Sequence, residues 1–278
     1  MKANLHIHTN NSDGKKTVSE INELAISNNF SIVAITDHDT VNAIYEINQL
    51  NTNVNFIIGV EMNTIYNGES VHVLGYFNGV NDDVIKYFKT LQKNREERCL
   101  KIIDNLKEYY NIEISYDEVA KIANGTIGRP HIQTVITNKY HISNEEVFRK
   151  YLGNNCKAYV PSSETKIEDA VKFLHDNNAL VVLAHPIQIK TFDYRNVIKY
   201  GFDGIEAYHP DQDKEYSKKI IEFANENNLL ITGGADYHGR ESGHGDIFDA
   251  AYLTGNDVDK FIDRLTNLKK EKILLKHN

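Results

Sequence analysis

His6-Ile7-His8 opens a series of histidines and carboxylates that continues through Asp13, Asp37-His38-Asp39, Glu61 and His72, and resumes far along the chain at His185, Asp236 and His238. In an extended strand, residues two apart point to the same face, so His6 and His8 converge while Leu5 and Ile7 pack behind them. The candidate ligand set is His6, His8, Asp13, His38, Glu61, His72, His185, Asp236 and His238, all imidazoles and carboxylates with no thiolate. That is more protein ligation than one tetrahedral or octahedral ion uses, so two or three ions sharing Glu61 as a bridge is the natural count. Nitrogen and oxygen donors in this mixture suit Zn, Mn or Fe rather than Cu(I), an iron–sulfur cluster or Ca. Three divalent ions would outweigh the charge of the three ligand carboxylates and leave a local cationic site to which phosphate would bind.

Each element also has a blander reading. Asp37-His38-Asp39 could cap a helix starting near Thr40, because Asp is a preferred N-cap. Asp236 could begin a turn after Gly233-Gly234, and Ala184-His185-Pro186 could be a strand stopped by proline. Their joint placement at strand ends favours the metal reading.

Those strand ends belong to a regular alternation. Apolar, β-rich runs occur at Ala3–His8, Ser31–Thr36, Phe56–Glu61, Val71–Tyr76, Leu180–His185, Gly204–Tyr208 and Leu229–Gly233. Helical patterns lie between them, such as Val18–Asn28 behind a Thr17/Glu20 capping box, with Thr165 and Glu168 repeating that start signal before Ala170–Asn177. Alternating βα units imply a mainly parallel sheet, and the run Leu180–Ala184 implies burial on both faces. In a β/α barrel the strand ends open onto one face. Seven strands predict an incomplete or distorted barrel, with a doubly wound open sheet as the alternative.

Residues 81–159 break the rhythm. Asn81–Tyr110 reads as one long helix or two, and shorter helical patterns follow at Ser115–Ala123 and Ser143–Leu152. The expected organisation is a first barrel part at 1–80, a helical insertion that caps the site at 81–159, and a second barrel part at 160–278.

Composition narrows the function classes. The chain has 278 residues, 41% hydrophobic and 25% charged, as in an ordinary soluble globular protein. With 31 Lys plus Arg against 39 Asp plus Glu, the net charge of -8 argues against long duplex nucleic acid as a partner and leaves small anionic substrates open. Cys99 and Cys156 are too few for a disulfide framework, and no leader or long apolar run is visible, so the expectation is a cytoplasmic protein without a membrane partner. Oligomeric state is not legible.

Leu5-His6-Ile7-His8-Thr9 with Ser12-Asp13-Gly14, and Ala34-Ile35-Thr36-Asp37-His38-Asp39-Thr40, resemble the first two motifs of the polymerase and histidinol phosphatase (PHP) superfamily. Glu61, His72, Ala184-His185-Pro186 and Asp236-Tyr237-His238 are similar to its later motifs. The resemblance implies an α/β fold, a distorted (β/α)7 barrel of PHP type, with three metals on its face. It places His6, His8, Glu61 and Asp236 in a first site, Asp13, His38 and His238 in a second, and Glu61, His72 and His185 in a third.

Gly128-Arg129-Pro130-His131 and Gly204-Ile205-Glu206-Ala207-Tyr208-His209-Pro210 resemble the subgroup containing nucleoside 3',5'-bisphosphate phosphatases and RNase AM-type exoribonucleases. That implies phosphate-contacting and catalytic roles for Arg129, His131 and His209. Without the resemblance, Arg129-Pro130 reads as a helix start and His209 as a strand cap. Lys15 and Arg240 are weaker cationic candidates, better read as solvated. Ala235 departs from the serine many relatives carry before the metal-binding aspartate.

The expected activity is hydrolysis of a phosphate ester of a nucleoside bisphosphate or short 5'-phosphorylated RNA, by attack of a metal-bridged hydroxide. Histidinol-phosphate phosphatase is the enzymatic alternative, and a non-catalytic metal-binding or regulatory module the other.

Overall fold

The structure, a computed structural model, describes residues 1–123, 125–161, 165–239 and 247–275. Arg240 lies outside the described residues. The strands are β1 (Lys2–Asn4), β2 (Ile32–Ile35), β3 (Asn55–Tyr66), β4 (Glu69–Phe77), β5 (Ala179–Leu183), β6 (Gly204–Tyr208), β7 (Leu230–Gly233) and β8 (Leu253–Thr254). They form one sheet in the order β7-β6-β5-β4-β3-β2-β1-β8.

Beyond β1 the chain continues against the segment after β7. Leu5 N donates to Gly233 O at 3.1 Å, Tyr237 N to His6 O at 3.3 Å and His8 N to Tyr237 O at 2.8 Å. With the parallel bridge between Ile7 and Tyr237, the sheet curls into a nearly closed barrel. The first seven strands overlap the apolar runs that predict them, although β1 stops at Asn4 and leaves His6 and His8 on the extended segment beyond it, and the short β8 adds an antiparallel partner to β1.

The mainly parallel expectation holds for β1/β2, β2/β3, β5/β6 and β6/β7. It fails at β4, which runs antiparallel to both β3 and β5. The cause is local. Asn67 and Gly68 take φ of 50° and 81°, the left-handed pair that closes a two-residue hairpin with the right twist. β3 therefore extends well past Glu61, which sits within a strand rather than at its end.

Helices cover the barrel. α1 (Val18–Ser27) starts on the expected box: Glu20 N donates to Thr17 Oγ1, and Thr17 N to the Glu20 carboxylate at 2.8 Å. α2 spans Ala43–Ile47. A helical segment follows β4: α3 (Asp82–Tyr110), α4 (Tyr116–Ala123), α5 (Arg129–Tyr140) and α6 (Asn144–Val147), which runs into a π-helical turn at Phe148–Leu152. α7 (Ile167–Asp176), α8 (Arg195–Ile198), α9 (Lys214–Glu226) and α10 (Asn256–Leu275) complete the order. The Thr165/Glu168 box does not form, and Lys166, the N-cap of α7, makes no side-chain cap bond. Thr165 O instead accepts from Ile65 N at 3.0 Å, so this backbone is tied to the β3/β4 hairpin.

Buried side chains fall into separate clusters. The largest joins the strands to α7, α9 and α10 through residues such as Leu74, Tyr76, Leu174, Val182 and Ile205. A second lies wholly within the helical segment, where Cys99, Ile102, Leu106, Val119, Ile132, Ile136 and Val147 pack together. α3 spans the two, with Val84 and Phe88 in the first cluster and Ile102 and Leu106 in the second. Among the described residues, no helix is long and apolar enough to cross a membrane.

Candidate metal centre

The extended segment after β1 that carries His6 and His8 is gripped closely from two sides. A Cβ on Gly14 would stand 2.3 Å from His8 O, and one on Gly234 would stand 2.4 Å from His6 Cβ. Only glycine fits either approach. His185, Asp236 and Asp39 adopt positive φ of 22°, 48° and 49°, a concentration of uncommon backbone at one end of the barrel.

All nine ligand candidates lie in one connected cluster centred on Glu61. Its Oε2 is 3.4 Å from His6 Nε2, 3.1 Å from His8 Nε2 and 3.2 Å from His38 Nδ1. Its Oε1 is 2.7 Å from His72 Nδ1 and 2.9 Å from His185 Nε2. Asp236 Oδ1 is 3.3 Å from His6 Nε2 and 3.1 Å from His8 Nε2, while Asp13 Oδ1 is 3.3 Å from His238 Nε2 and 3.7 Å from His8 Nδ1.

Three overlapping groups of donor atoms are compact enough to hold an ion. They are His6, His8, Glu61 and Asp236; His8, Asp13, His38 and His238; and His38, Glu61 and His72. The first matches the set expected from sequence. The second gains His8, and the third has His38 where His185 was expected. His185 nevertheless stands beside it, its Nε2 3.2 Å from His72 Nδ1.

The donor atoms fit cations better than they fit one another. His6 Nε2 and both ring nitrogens of His8 are fully buried, and among the described residues none makes a hydrogen bond. Buried polar atoms without partners are costly, and here they face carboxylate oxygens at coordination-like separations. Burial alone would push the Glu61 carboxyl up, but the imidazoles of His72, His38 and His6 hold it well below the usual range. Burial is likewise overcome at Asp13, chiefly by His238, and at Asp236, chiefly by His6, so both stay ionised. Burial opposes charge on His8, yet Asp236 and Glu61 raise its pKa to about 10; burial dominates at His38 and lowers it to about 3. The two carboxylates beside His8 Nε2 thus favour a positive charge at that point.

Residues that sequence reasoning left without a role support this cluster. Glu206 is buried in β6, its Oε1 3.0 Å from His6 Nδ1 and its Oε2 accepting from His185 N at 2.8 Å. It joins two ligand candidates that follow different strands, β1 and β5, the outer-shell arrangement that orients metal-binding imidazoles. A lone carboxylate inside an apolar strand was the available signal. Asn63 Nδ2 lies 3.3 Å from His38 Nδ1. Asp37 and Asp39 do not cap a helix. Asp37 accepts from Thr9 N and Oγ1, each at 2.7 Å, and from Ser12 Oγ at 2.5 Å. Asp39 accepts from Asn63 N at 3.0 Å and pairs with Arg95 of α3, tying the helical segment to the barrel.

The phosphate-contact candidates are also near. A cavity of about 270 Å³ is lined by Asp13 and His38 from the barrel and by Arg129 and His131 from the helical segment. His131 Nδ1 accepts from Gly128 N at 3.0 Å. The Arg129 guanidinium donates to Leu152 O at 3.1 Å and Asn154 Oδ1 at 2.9 Å, and lies over the Phe148 and Tyr159 rings. His209 stands beside the candidate metal cluster instead. Its Nδ1 accepts from Asp211 N at 3.1 Å, and its Nε2 is 3.4 Å from Asp236 Oδ2. Lys15 is exposed, and its backbone N donates to His238 O at 2.8 Å.

Relatives of this chain include a 5'-3' exoribonuclease of Haemophilus influenzae, 28% identical over 85% of the chain and 90% of the relative. A 3',5'-nucleoside bisphosphate phosphatase of Chromobacterium violaceum is 25% identical over 86% of the chain and 90% of the relative. Among solved structures, a Bifidobacterium adolescentis protein named only as a candidate metal-dependent phosphoesterase superposes with a TM-score of 0.77 at 24% identity. The match covers 94% of this chain and 96% of that one, and shows a shared fold. The family model described as the PHP domain matches residues 4–231, and with the barrel and its histidine–carboxylate cluster this places the chain in the PHP family.

Proposed function

We propose that this PHP-domain phosphoesterase hydrolyses the 3'-phosphate ester of small nucleotides, either a nucleoside 3',5'-bisphosphate or the first linkage of a short 5'-phosphorylated RNA. The observation that carries the reading is Glu61, whose two carboxylate oxygens face different sets of imidazoles, His6, His8 and His38 on one side and His72 and His185 on the other. The names of the two relatives favour this substrate class, since one is an exoribonuclease and the other a phosphatase of nucleoside 3',5'-bisphosphates.

Three divalent ions, Mn, Fe or Zn, would be held by His6, His8, Glu61 and Asp236; by Asp13, His38 and His238 with His8 adjacent; and by Glu61, His72 and His185. Bound there, such ions supply Lewis acidity toward phosphoryl oxygens and lower the pKa of water. The remaining work belongs to side chains of the chain. Glu206 fixes the His6 ring through Nδ1 and so keeps Nε2 aimed at Glu61 and Asp236. Because His131 Nδ1 accepts from Gly128 N, its neutral ring carries a proton on Nε2, which suits it to donate toward a substrate oxygen. His209 is held the same way by Asp211 N, with Nε2 turned toward Asp236, and is the second candidate to protonate the leaving 3'-oxygen. Arg129 engages substrate phosphate. Residues 81–159 act as a cap domain over the metal end, a role supported by their own buried cluster.

The test is chelation followed by restoration with Mn, Fe or Zn, with metal content measured alongside phosphate release. Assays compare adenosine 3',5'-bisphosphate, a 5'-phosphorylated dinucleotide and histidinol phosphate. Turnover of the first two is expected. Turnover of histidinol phosphate alone would reverse the substrate assignment.

A further inference from the structure

The helical wall of the cavity carries more positive charge than phosphate contact by Arg129 requires. Arg95, Arg98 and Arg129 all line it. Arg95 is neutralised by Asp39. The other two are not: among the described residues neither Arg98 nor Arg129 pairs with a carboxylate. Arg98 donates from Nε to Val160 O at 2.8 Å, and no other hydrogen bond is made by its guanidinium among those residues. Tyr159 brings the pair together, its ring centroid 6.0 Å from Arg98 Cζ and 5.3 Å from Arg129 Cζ.

Burial lowers the Arg98 pKa to about 10, and Arg129 and Arg95 push the same way. Two half-buried like charges with no carboxylate paired to them among the described residues lose hydration and repel each other, a cost that an arriving anion relieves. The same cavity is lined by Asp13 and His38 of the candidate metal cluster, so one small molecule could meet both. At about 270 Å³ it lies near the lower end of ordinary small-ligand sites, which favours something of mononucleotide size.

We propose that Arg98 and Arg129 form a second anion subsite, which takes the phosphate that is not hydrolysed while the reacting phosphate lies at the metal cluster. This rests on the phosphoesterase reading above and sharpens it: the substrate must carry two phosphates, and Arg98, a residue outside every motif, selects for the second. The guanidinium is planar and matches phosphate with paired donors, whereas lysine offers only a point charge.

The experiment compares kcat/KM of the metal-loaded full chain for adenosine 3',5'-bisphosphate and adenosine 3'-monophosphate, which share a reacting phosphate and differ in the second one. Wild type is expected to prefer the bisphosphate by about 10- to 100-fold, the weight of one or two hydrogen bonds to a charged group. Arg98→Ala removes most of that preference through KM, with the 3'-monophosphate changed by less than about twofold; Arg98→Lys keeps part of it. A 5'-phosphorylated dinucleotide and its 5'-hydroxyl counterpart repeat the comparison for an RNA end, and show which source supplies the second phosphate.

Equal turnover of the two adenosine substrates by wild type would overturn the subsite while leaving the phosphoesterase reading intact. An equal loss on both in Arg98→Ala would reduce Arg98 to a strut for Val160. If Arg98→Ala does not fold, the wild-type preference and its response to Arg98→Lys decide the matter. Failure to hydrolyse these substrates or bis(p-nitrophenyl) phosphate in any metal would remove both readings.

Discussion

On the barrel side of the cavity the reactive groups are short side chains on backbone that is itself fixed. Behind Asp13 and His38, His8 lies on the extended segment past β1, its N bonded to Tyr237 O and its O pressed by Gly14, and its Nε2 has two carboxylate oxygens at 3.1 Å. On the helical side, Arg98 and Arg129 reach in on long stems, steadied by carbonyls of Val160 and Leu152 and by the face of Tyr159. The first arrangement tolerates little displacement and suits bond-making chemistry. The second allows adjustment and suits recognition of a charged group whose position varies with the substrate.

If that division is right, substitutions on the two sides should fail differently. Glu61→Gln gives the largest effect, because one neutral amide cannot replace a carboxylate facing five imidazoles. Metal content by elemental analysis and turnover should both collapse while far-ultraviolet circular dichroism is retained; full metal content would break the bridging assignment. Glu206→Gln comes next. An amide has one acceptor oxygen and cannot serve both His6 Nδ1 and His185 N, so metal affinity in a competition titration should fall about 10- to 100-fold. Unchanged affinity would leave Glu206 as mere packing.

On the other wall, Arg129→Ala should raise KM by roughly tenfold or more with a smaller change in kcat. A loss confined to kcat would move Arg129 onto the chemical side of the comparison. The smallest effect is a proton count. In the absence of metal, His8 titrates near 10, held up by Asp236 and Glu61 against burial, so it is protonated at neutral pH. Metal needs the neutral ring, so calorimetric titration with Mn at pH 7.5 in buffers of different ionisation enthalpy should show net proton release. No release would mean that His8 carries no proton before metal arrives.

The strand positions were legible because strands buried on both faces leave uninterrupted apolar runs, and Leu180–Ala184 reads as one without any partner in view. An apolar run carries no direction, so the reversal of β4 was missed, although Asn67-Gly68 between Ile65-Tyr66 and Val71 was a hairpin signal in plain sight. His8 could not be assigned to two donor groups from sequence, since that follows from its strand end lying between Asp236 and Asp13 in space. Glu206 showed as a charge in an apolar strand, but what it touches comes from a residue two hundred positions earlier. Arg98 was invisible for a different reason. On α3 it is one cation among many solvated ones, and only the packing of Tyr159 and Val160 against it sets it apart.

The Asn67-Gly68 turn carries an unexpected burden. Glu61, Asn63 and His72 share one face of the β3/β4 ladder only because the register pairs Asn63 with His72 and Glu61 with Leu74. A strand's side chains alternate strictly, so a slip of a single position would swing His72 to the reverse side, away from Glu61. Lengthening this loop by one residue, at a surface spot where sequence drift is ordinarily harmless, would therefore disarm the enzyme from a distance without replacing any of the candidate metal ligands.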